Sequence, residues 1–149
     1  MAILTGEDRS TKPSLLIVDD DASFRETLQK FLEPEFNILA SVGDGLSLIE
    51  AAHALLPEVI VTDISMPRLN GMQAVRRLKL SQPACRVIFL SVHEEPAFAA
   101  EARKIGAGGY LLKRYVSAEL IPAIHAVLEG SAFVCSALPE DPPFPWLSS

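Results

Sequence analysis

Three consecutive carboxylates close the apolar run "LLIVDDD" at positions 15–21. Adjacent like charges repel, and a carboxylate at the edge of a core loses solvation. Such a cluster calls for a counter-charge. A divalent cation is a direct one, and Mg2+ takes one or two protein carboxylates while keeping several waters. The simpler alternative is a solvated turn in which Asp21 caps the next helix. Three further reactive side chains end other apolar runs: Asp63 in "EVIVTD", Ser91 in "RVIFLS" and Lys113 in "GYLLK". A carboxylate can accept a phosphoryl group as an aspartyl phosphate. An ammonium, a hydroxyl and a cation beside it stabilise charge on the transferring group. Taken singly, these residues read as an ordinary strand-end aspartate, a strand-end serine and a surface lysine. Only their convergence separates the two readings.

The apolar runs are short and alternate with amphipathic ones. Residues 14–19, 36–42, 58–63, 86–91 and 109–113 read as strands. The first and third are apolar almost throughout, as burial on both faces requires. "ASFRETLQKFLE" carries Phe24, Leu28, Phe31 and Leu32 at helical spacing and ends before Pro34. "LSLIEAAHALL" stops at Pro57, and "NGMQAVRRLKL" turns Met72, Val75 and Leu78 inward. "PAFAAEARKIG" has Pro96 near its first position and Gly106 past its end. In "VSAELIPAIHAVLEG", Ser117 is the expected N-cap, and Pro122 should delete one backbone bond and loosen the helix start. Repeated βα units imply a parallel sheet with helices on both faces. The expected class is α/β: a flavodoxin-like (βα)5 three-layer sandwich with a parallel five-stranded sheet of order 2-1-3-4-5. In that order the ligand crevice lies at the carboxyl ends of the strands, at the switch between strands 1 and 3. Asp19, Asp20, Asp63, Ser91 and Lys113 then share one crevice although they are scattered in sequence.

The chain's 149 residues suit one domain. The expected organisation is a flexible N-terminal extension over 1–12, a domain over 13–130 and a proline-rich tail over 131–149 with no output domain. Four prolines fall in the last eleven residues, and Phe144 and Trp146 flank one of them. Such a segment favours polyproline II or a path along the surface. Its aromatic residues are expected to pack near the last helix or against a second copy. A net charge of −6 argues against a broad nucleic-acid or anionic-membrane surface. Cys85 and Cys135 lack metal-ligand spacing and read as reduced thiols. No stretch approaches the roughly 20 apolar residues of a membrane span, and the start lacks a secretory core. A soluble cytoplasmic protein is expected.

With these residues assembled, the chain resembles the receiver domain of two-component response regulators. The resemblance rests on "IVDDD", "VTDISMPRLNG", "FLS" and "GYLLK", in order, within residues 13–130. It implies that Asp63 is the phosphoacceptor. It also implies that Asp19, Asp20 and Asp63 bind Mg2+, with Asp20 a direct ligand and the Ser65 carbonyl completing the protein's share. Lys113 and Ser91 would bind the phosphoryl group. Tyr110 resembles the aromatic that changes rotamer when the hydroxyl residue moves; a half-buried packing role is the alternative. Ser65 and His93 fall at positions that tune phosphoryl lifetime. His53 and His125 sit in helical stretches and read as ordinary packing or surface residues.

The partners implied are a sensor histidine kinase and an unknown downstream protein, with room for a homodimer. The first candidate surface is the helix 4–strand 5–helix 5 face, where Ala99, Ala100, Ala107 and Tyr110 leave it fairly apolar. The chain would be no enzyme beyond phosphorylation and dephosphorylation of its own aspartate. "GDGLSLIEAAHALLPEVIVTDISMPRLNGMQAVRRLK" and "GAGGYLLK" further resemble receivers of LuxR-type regulators. Two departures stand out. A helix-turn-helix domain needs several dozen residues, and fewer than twenty follow Gly130. Many receivers carry Lys-Pro with a cis bond where this chain has Lys113-Arg114. A trans bond is expected here, because a non-proline cis bond costs about 2.5–4 kcal/mol.

The main alternative is the receiver part of a DNA-binding transcription regulator. The tail itself has no lysine or arginine and no sequence for a recognition helix. A Mg2+-dependent phosphatase would need a second carboxylate two residues after Asp63, where Ser65 stands. A flavodoxin would need a hydroxyl- and glycine-rich phosphate loop in place of "DDDASF".

Overall fold

Apolar runs that alternate with amphipathic segments need helices on both faces of the strands, and the chain supplies them. The computed structural model describes residues 12–131 and 133–135. In chain order the elements are β1 (Ser14–Val18), α1 (Ala22–Leu32), β2 (Asn37–Val42), α2 (Gly45–Leu55), β3 (Val59–Asp63), α3 (Gly71–Ser81), β4 (Arg86–Ser91) and α4 (Pro96–Ile105). They are followed by β5 (Gly109–Leu112), a 3-10 turn (Lys113–Tyr115), α5 (Val116–Leu128) and β6 (Val134–Cys135). All sheet pairings are parallel, in the order β2-β1-β3-β4-β5-β6.

The alternation of side chains along each strand splits the core into two layers. Leu15, Ile17, Val59, Val61, Ile88 and Leu90 pack with residues of α1 and α5. Leu16, Val18, Ile60, Phe89 and Tyr110 pack with residues of α2, α3 and α4. The central strands are buried on both faces, as their unbroken apolar runs demand.

The sheet expected to have five strands has six among the described residues. Val134 N–H donates to the Gly108 carbonyl at 2.9 Å, and Val134 and Cys135 pair with Gly109 and Tyr110. The added strand covers backbone groups that β5 would otherwise leave at an open edge. Gly109 permits the approach, since a Cβ there would lie 3.1 Å from the Val134 carbonyl oxygen. Two paired residues are too few to show as a strand in sequence, and they lie in the segment assigned to the tail.

Helix α5 also starts earlier than expected. The 3-10 turn runs straight into it, so the N-cap position falls on Tyr115, without a side-chain cap bond. Ser117 is therefore inside the first turn rather than at the cap. Pro122 sits within the helix, which nevertheless continues to Leu128. Leu120, Ala123, Ile124 and Val127 are buried beneath it. That packing offsets the backbone bond Pro122 cannot make.

Among the described residues there is no cis peptide bond, so Lys113-Arg114 is trans as expected. No described helix is long and apolar enough to cross a membrane. The N-terminal extension through residue 11 and the tail from residue 136, including Phe144 and Trp146, lie outside the described residues.

Candidate functional site

The parallel sheet brings the carboxyl ends of its strands to one edge. Asp19 directly follows β1, Asp63 ends β3, Ser91 ends β4 and Lys113 directly follows β5. Asp19 is 1 % exposed and Asp63 8 %, so neither carboxylate has much water of its own. Lys113 compensates both. Its Nζ donates to Asp19 Oδ2 at 2.7 Å and lies 3.4 Å from Asp63 Oδ2. Asp19 Oδ1 accepts from the Asp21 N–H at 2.9 Å. Asp21 in turn caps α1, accepting from the N–H groups of Ser23 and Phe24 at 3.0 and 3.2 Å. The three consecutive acids thus have three placements. Asp19 is paired, Asp21 is a cap, and Asp20 is exposed to solvent.

Electrostatics in the crevice follow from this burial. Loss of water pushes the Asp63 pKa up; Lys113 pulls it down, and Asp19 adds to the rise. For Lys113, partial burial works against its charge. The hydrogen bond to Asp19 and the charges of Asp63 and Asp19 outweigh that and hold its pKa above the ordinary lysine value.

One carboxylate oxygen each from Asp19, Asp20 and Asp63 lie within 4.8 Å of one another. This is an all-oxygen donor set, open on the side of Asp20. Its chemistry fits a hard cation such as Mg2+, which leaves part of its shell to water.

The backbone around Asp63 is tightly built. Thr62 Oγ1 donates to the Asp63 carbonyl at 2.9 Å, and Ile64 N–H donates to Asp63 Oδ1 at 2.8 Å. Gly71 N–H donates to the Ile64 carbonyl at 2.7 Å. A Cβ on Gly71 would fall 2.0 Å from the Asp63 carbonyl oxygen, so only glycine lets α3 start this close. Asn70 and Gln73 form a capping box that fixes the same helix start.

The other residues singled out in sequence gather around His93. Ser91 is buried and its Oγ accepts from the His93 N–H at 2.9 Å. Tyr110 is fully buried rather than half-buried, and its hydroxyl donates to the His93 carbonyl at 2.8 Å. Burial pushes the Tyr110 pKa up, while a hydrogen bond from Ser91 draws it back in part. Ser91, His93 and Tyr110 are therefore one hydrogen-bonded group. Ser65 is exposed, with its Oγ 3.5 Å from His93 Nε2. The His93 ring stacks on Phe98 at 4.3 Å. The apolar face proposed from Ala99, Ala100, Ala107 and Tyr110 is smaller than expected. Ala107 and Tyr110 belong to the core, which leaves Ala100 exposed and Ala99 half-buried.

Arg25 belongs to none of the sequence motifs, and the helical spacing of Phe24 implies only packing. Arg25 Nη1 donates to the Asp19 carbonyl at 2.7 Å, and its Nε to Ser41 Oγ at 3.1 Å. The Lys113 ammonium lies over the Phe24 ring, 4.6 Å from its centroid. A signal for Arg25 existed: a cation near a helix start opposes the macrodipole and calls for a partner.

Sheet order and site together define a flavodoxin-like α/β protein with an acidic crevice at the strand ends. The family model of the response regulator receiver domain matches residues 15–125, and the chain belongs to that family. It is 38% identical over 125 residues to the transcriptional regulatory protein DegU of Brevibacillus brevis, covering 83% of this chain and 53% of the relative. It is 32% identical over 118 residues to the transcriptional regulatory protein LnrK of Bacillus subtilis, covering 78% and 54%. The chain thus spans about half the length of these curated relatives. Among solved structures, a LuxR-family two-component response regulator from Aurantimonas sp. SI85-9A1 superposes with a TM-score of 0.79 at 29% identity, covering 83% of this chain and 89% of that one. The receiver domain of the response regulator NarL from Mycobacterium tuberculosis gives 0.75 at 30% identity, covering 80% and 98%.

Proposed function

We propose that this chain is a phosphorylation-controlled receiver: Asp63 takes a phosphoryl group from a phosphohistidine of a sensor histidine kinase, and the altered surface meets a downstream protein. The observation that carries this reading is the meeting of Asp63 with both acids of the β1 end within 4.8 Å and with the Lys113 ammonium at 3.4 Å. In the transfer, an Asp63 oxygen attacks phosphorus and a P–O bond forms. The P–N bond to the imidazole breaks, and the ring nitrogen leaves with the electron pair. Lys113 passes from Asp19 to the new phosphoryl oxygens, and Ser91 turns its hydroxyl toward them. Asp19, Asp20, Asp63 and the Ser65 carbonyl would hold Mg2+, which supplies neutralising charge when bound. Movement of Ser91 disturbs its bonds to His93 and Tyr110, which carries the change toward α4 and β5. Ser65 and His93 flank the mouth and set the access of water to the aspartyl phosphate.

The chain transforms no substrate beyond its own phosphoaspartate. Its net charge of −6 supports a protein, rather than nucleic acid, as its direct partner. A cytoplasmic location follows from a kinase donor of this class. Incubation with acetyl phosphate and Mg2+, read by intact mass, should add one phosphoryl group, and Asp63→Asn should abolish it. Label that persists in Asp63→Asn would falsify the acceptor assignment.

A second reading is favoured by the relatives. They are named transcriptional regulators, and this chain spans 53% and 54% of the two described. The same receiver would then govern a DNA-binding unit. Sequencing the gene past the codon for residue 149 separates the two.

A further inference from the structure

We propose that Phe24 is a positioning residue for Lys113: its ring holds the ammonium in the crevice while the ionic partners of that ammonium change. The proposal rests on the phosphoacceptor reading and adds a residue to it.

Lys113 Nζ lies 4.6 Å from the Phe24 ring centroid, within cation–π range. The same nitrogen donates to Asp19 at 2.7 Å and sits 3.4 Å from Asp63. Of these three neighbours, two are acids and one is neutral. The acids are also the groups that would hold a cation and accept the phosphoryl group. A cation shared by Asp19 and Asp63 weakens their pull on Lys113 and repels the ammonium directly. The lysine stem is flexible, and its side chain is 20% exposed, so a route to water is open. The ring's attraction does not depend on the charge state of either acid. It therefore persists when the salt bridge to Asp19 is given up.

The ring is itself well held. Its backbone N–H is bonded to the Asp21 cap at 3.2 Å, and the side chain packs on the core layer that contains Leu28 and Leu32. Arg25, the next residue, ties the same helical turn to the Asp19 carbonyl at 2.7 Å. The lysine's seat and its acid partner thus keep their spacing without help from the salt bridge.

Two measurements on the full chain test this. In metal-free and phosphate-free protein, the ε-methylene signal of Lys113 should be shifted upfield by the ring current, and Phe24→Leu should return it to the ordinary lysine position. With acetyl phosphate and Mg2+, Phe24→Leu should slow Asp63 labelling by roughly two- to fivefold, the rate equivalent of a partly exposed cation–π contact. Phe24→Tyr and Phe24→Trp should restore it. An unshifted signal in the wild type overturns the proposal, as does a Phe24→Leu rate equal to wild type. Equal slowing by Leu, Tyr and Trp also overturns it, because that pattern marks packing alone. If the wild type takes no label at all, the phosphoacceptor reading fails, while the ring-current shift still decides where Lys113 sits.

Discussion

At the scale of single residues, the crevice is a contest for a small number of charges. Lys113 Nζ, at 2.7 Å from Asp19 and 3.4 Å from Asp63, stands where a cation bound by those acids would feel it. Two outcomes follow for Mg2+ binding, followed by NMR titration. Asp20→Ala should weaken it by about tenfold or more, since losing even an outer-shell partner costs 10–100-fold. Lys113→Ala should strengthen it, because a competing positive charge leaves. Equal affinity in Asp20→Ala and wild type would remove Asp20 from the donor set. In the proposed function His93 belongs to a different step. Its ring nitrogen is 3.5 Å from Ser65 Oγ and its backbone holds Ser91 and Tyr110. The backbone bonds survive in His93→Ala, so labelling of Asp63 should persist while the decay rate of the phosphoryl group changes. An unchanged decay rate returns the ring to a packing role against Phe98. The acids and Lys113 were legible in sequence because each ends an apolar run. Phe24 was legible only as a helical core residue: a ring under an ammonium from 89 positions away leaves no local pattern.

At the scale of elements, strand ends and helix starts were placed by different signals. The strands β1, β3 and β4 announce themselves by buried, unbroken apolar runs. The start of α5 misled, because Ser117 offers good cap chemistry while the 3-10 turn after β5 had already begun the helix. The start of α3 holds the strictest local requirement. Gly71 sits so close that a Cβ would lie 2.0 Å from the Asp63 carbonyl oxygen, and backbone atoms cannot step aside as a flexible side chain can. Gly71→Ala should therefore destabilise the fold by about 1–3 kcal/mol, as overpacking does. It should also slow Asp63 labelling, since the peptide of the proposed acceptor must move. Denaturant midpoints and labelling rates read both effects. A variant with wild-type midpoint and rate would mean that α3 can shift without disturbing Asp63.

At the scale of the whole molecule, the sheet order was readable from the alternation of strands and helices, but its final edge was not. A two-residue strand carries no periodicity, and its pairing is long-range. The contribution of β6 can be isolated by comparing a chain ending at Cys135 with one ending at Ser131. Both lack residues 136–149, so the difference belongs to residues 132–135. The shorter chain loses the Val134 N–H bond to Gly108 at 2.9 Å and the pairing with Gly109 and Tyr110. It also loses the Phe133 ring under the Arg103 guanidinium at 4.5 Å. A net hydrogen bond contributes about 1 kcal/mol and an exposed cation–π contact about 0.5–1 kcal/mol. The shorter chain should thus melt several degrees lower, at about 4 °C per kcal/mol for a domain of this size. Its β5 edge, carrying unpaired backbone groups beside Gly109, should make it more prone to self-association. The crevice lies at the other end of β5, beyond Leu112, and takes no residue from β6. Asp63 labelling should accordingly stay within reach of the longer chain. Equal melting temperatures and equal monomer fractions by light scattering would show that β6 pairs too weakly to stabilise the sheet; loss of labelling would instead tie the edge strand to Lys113.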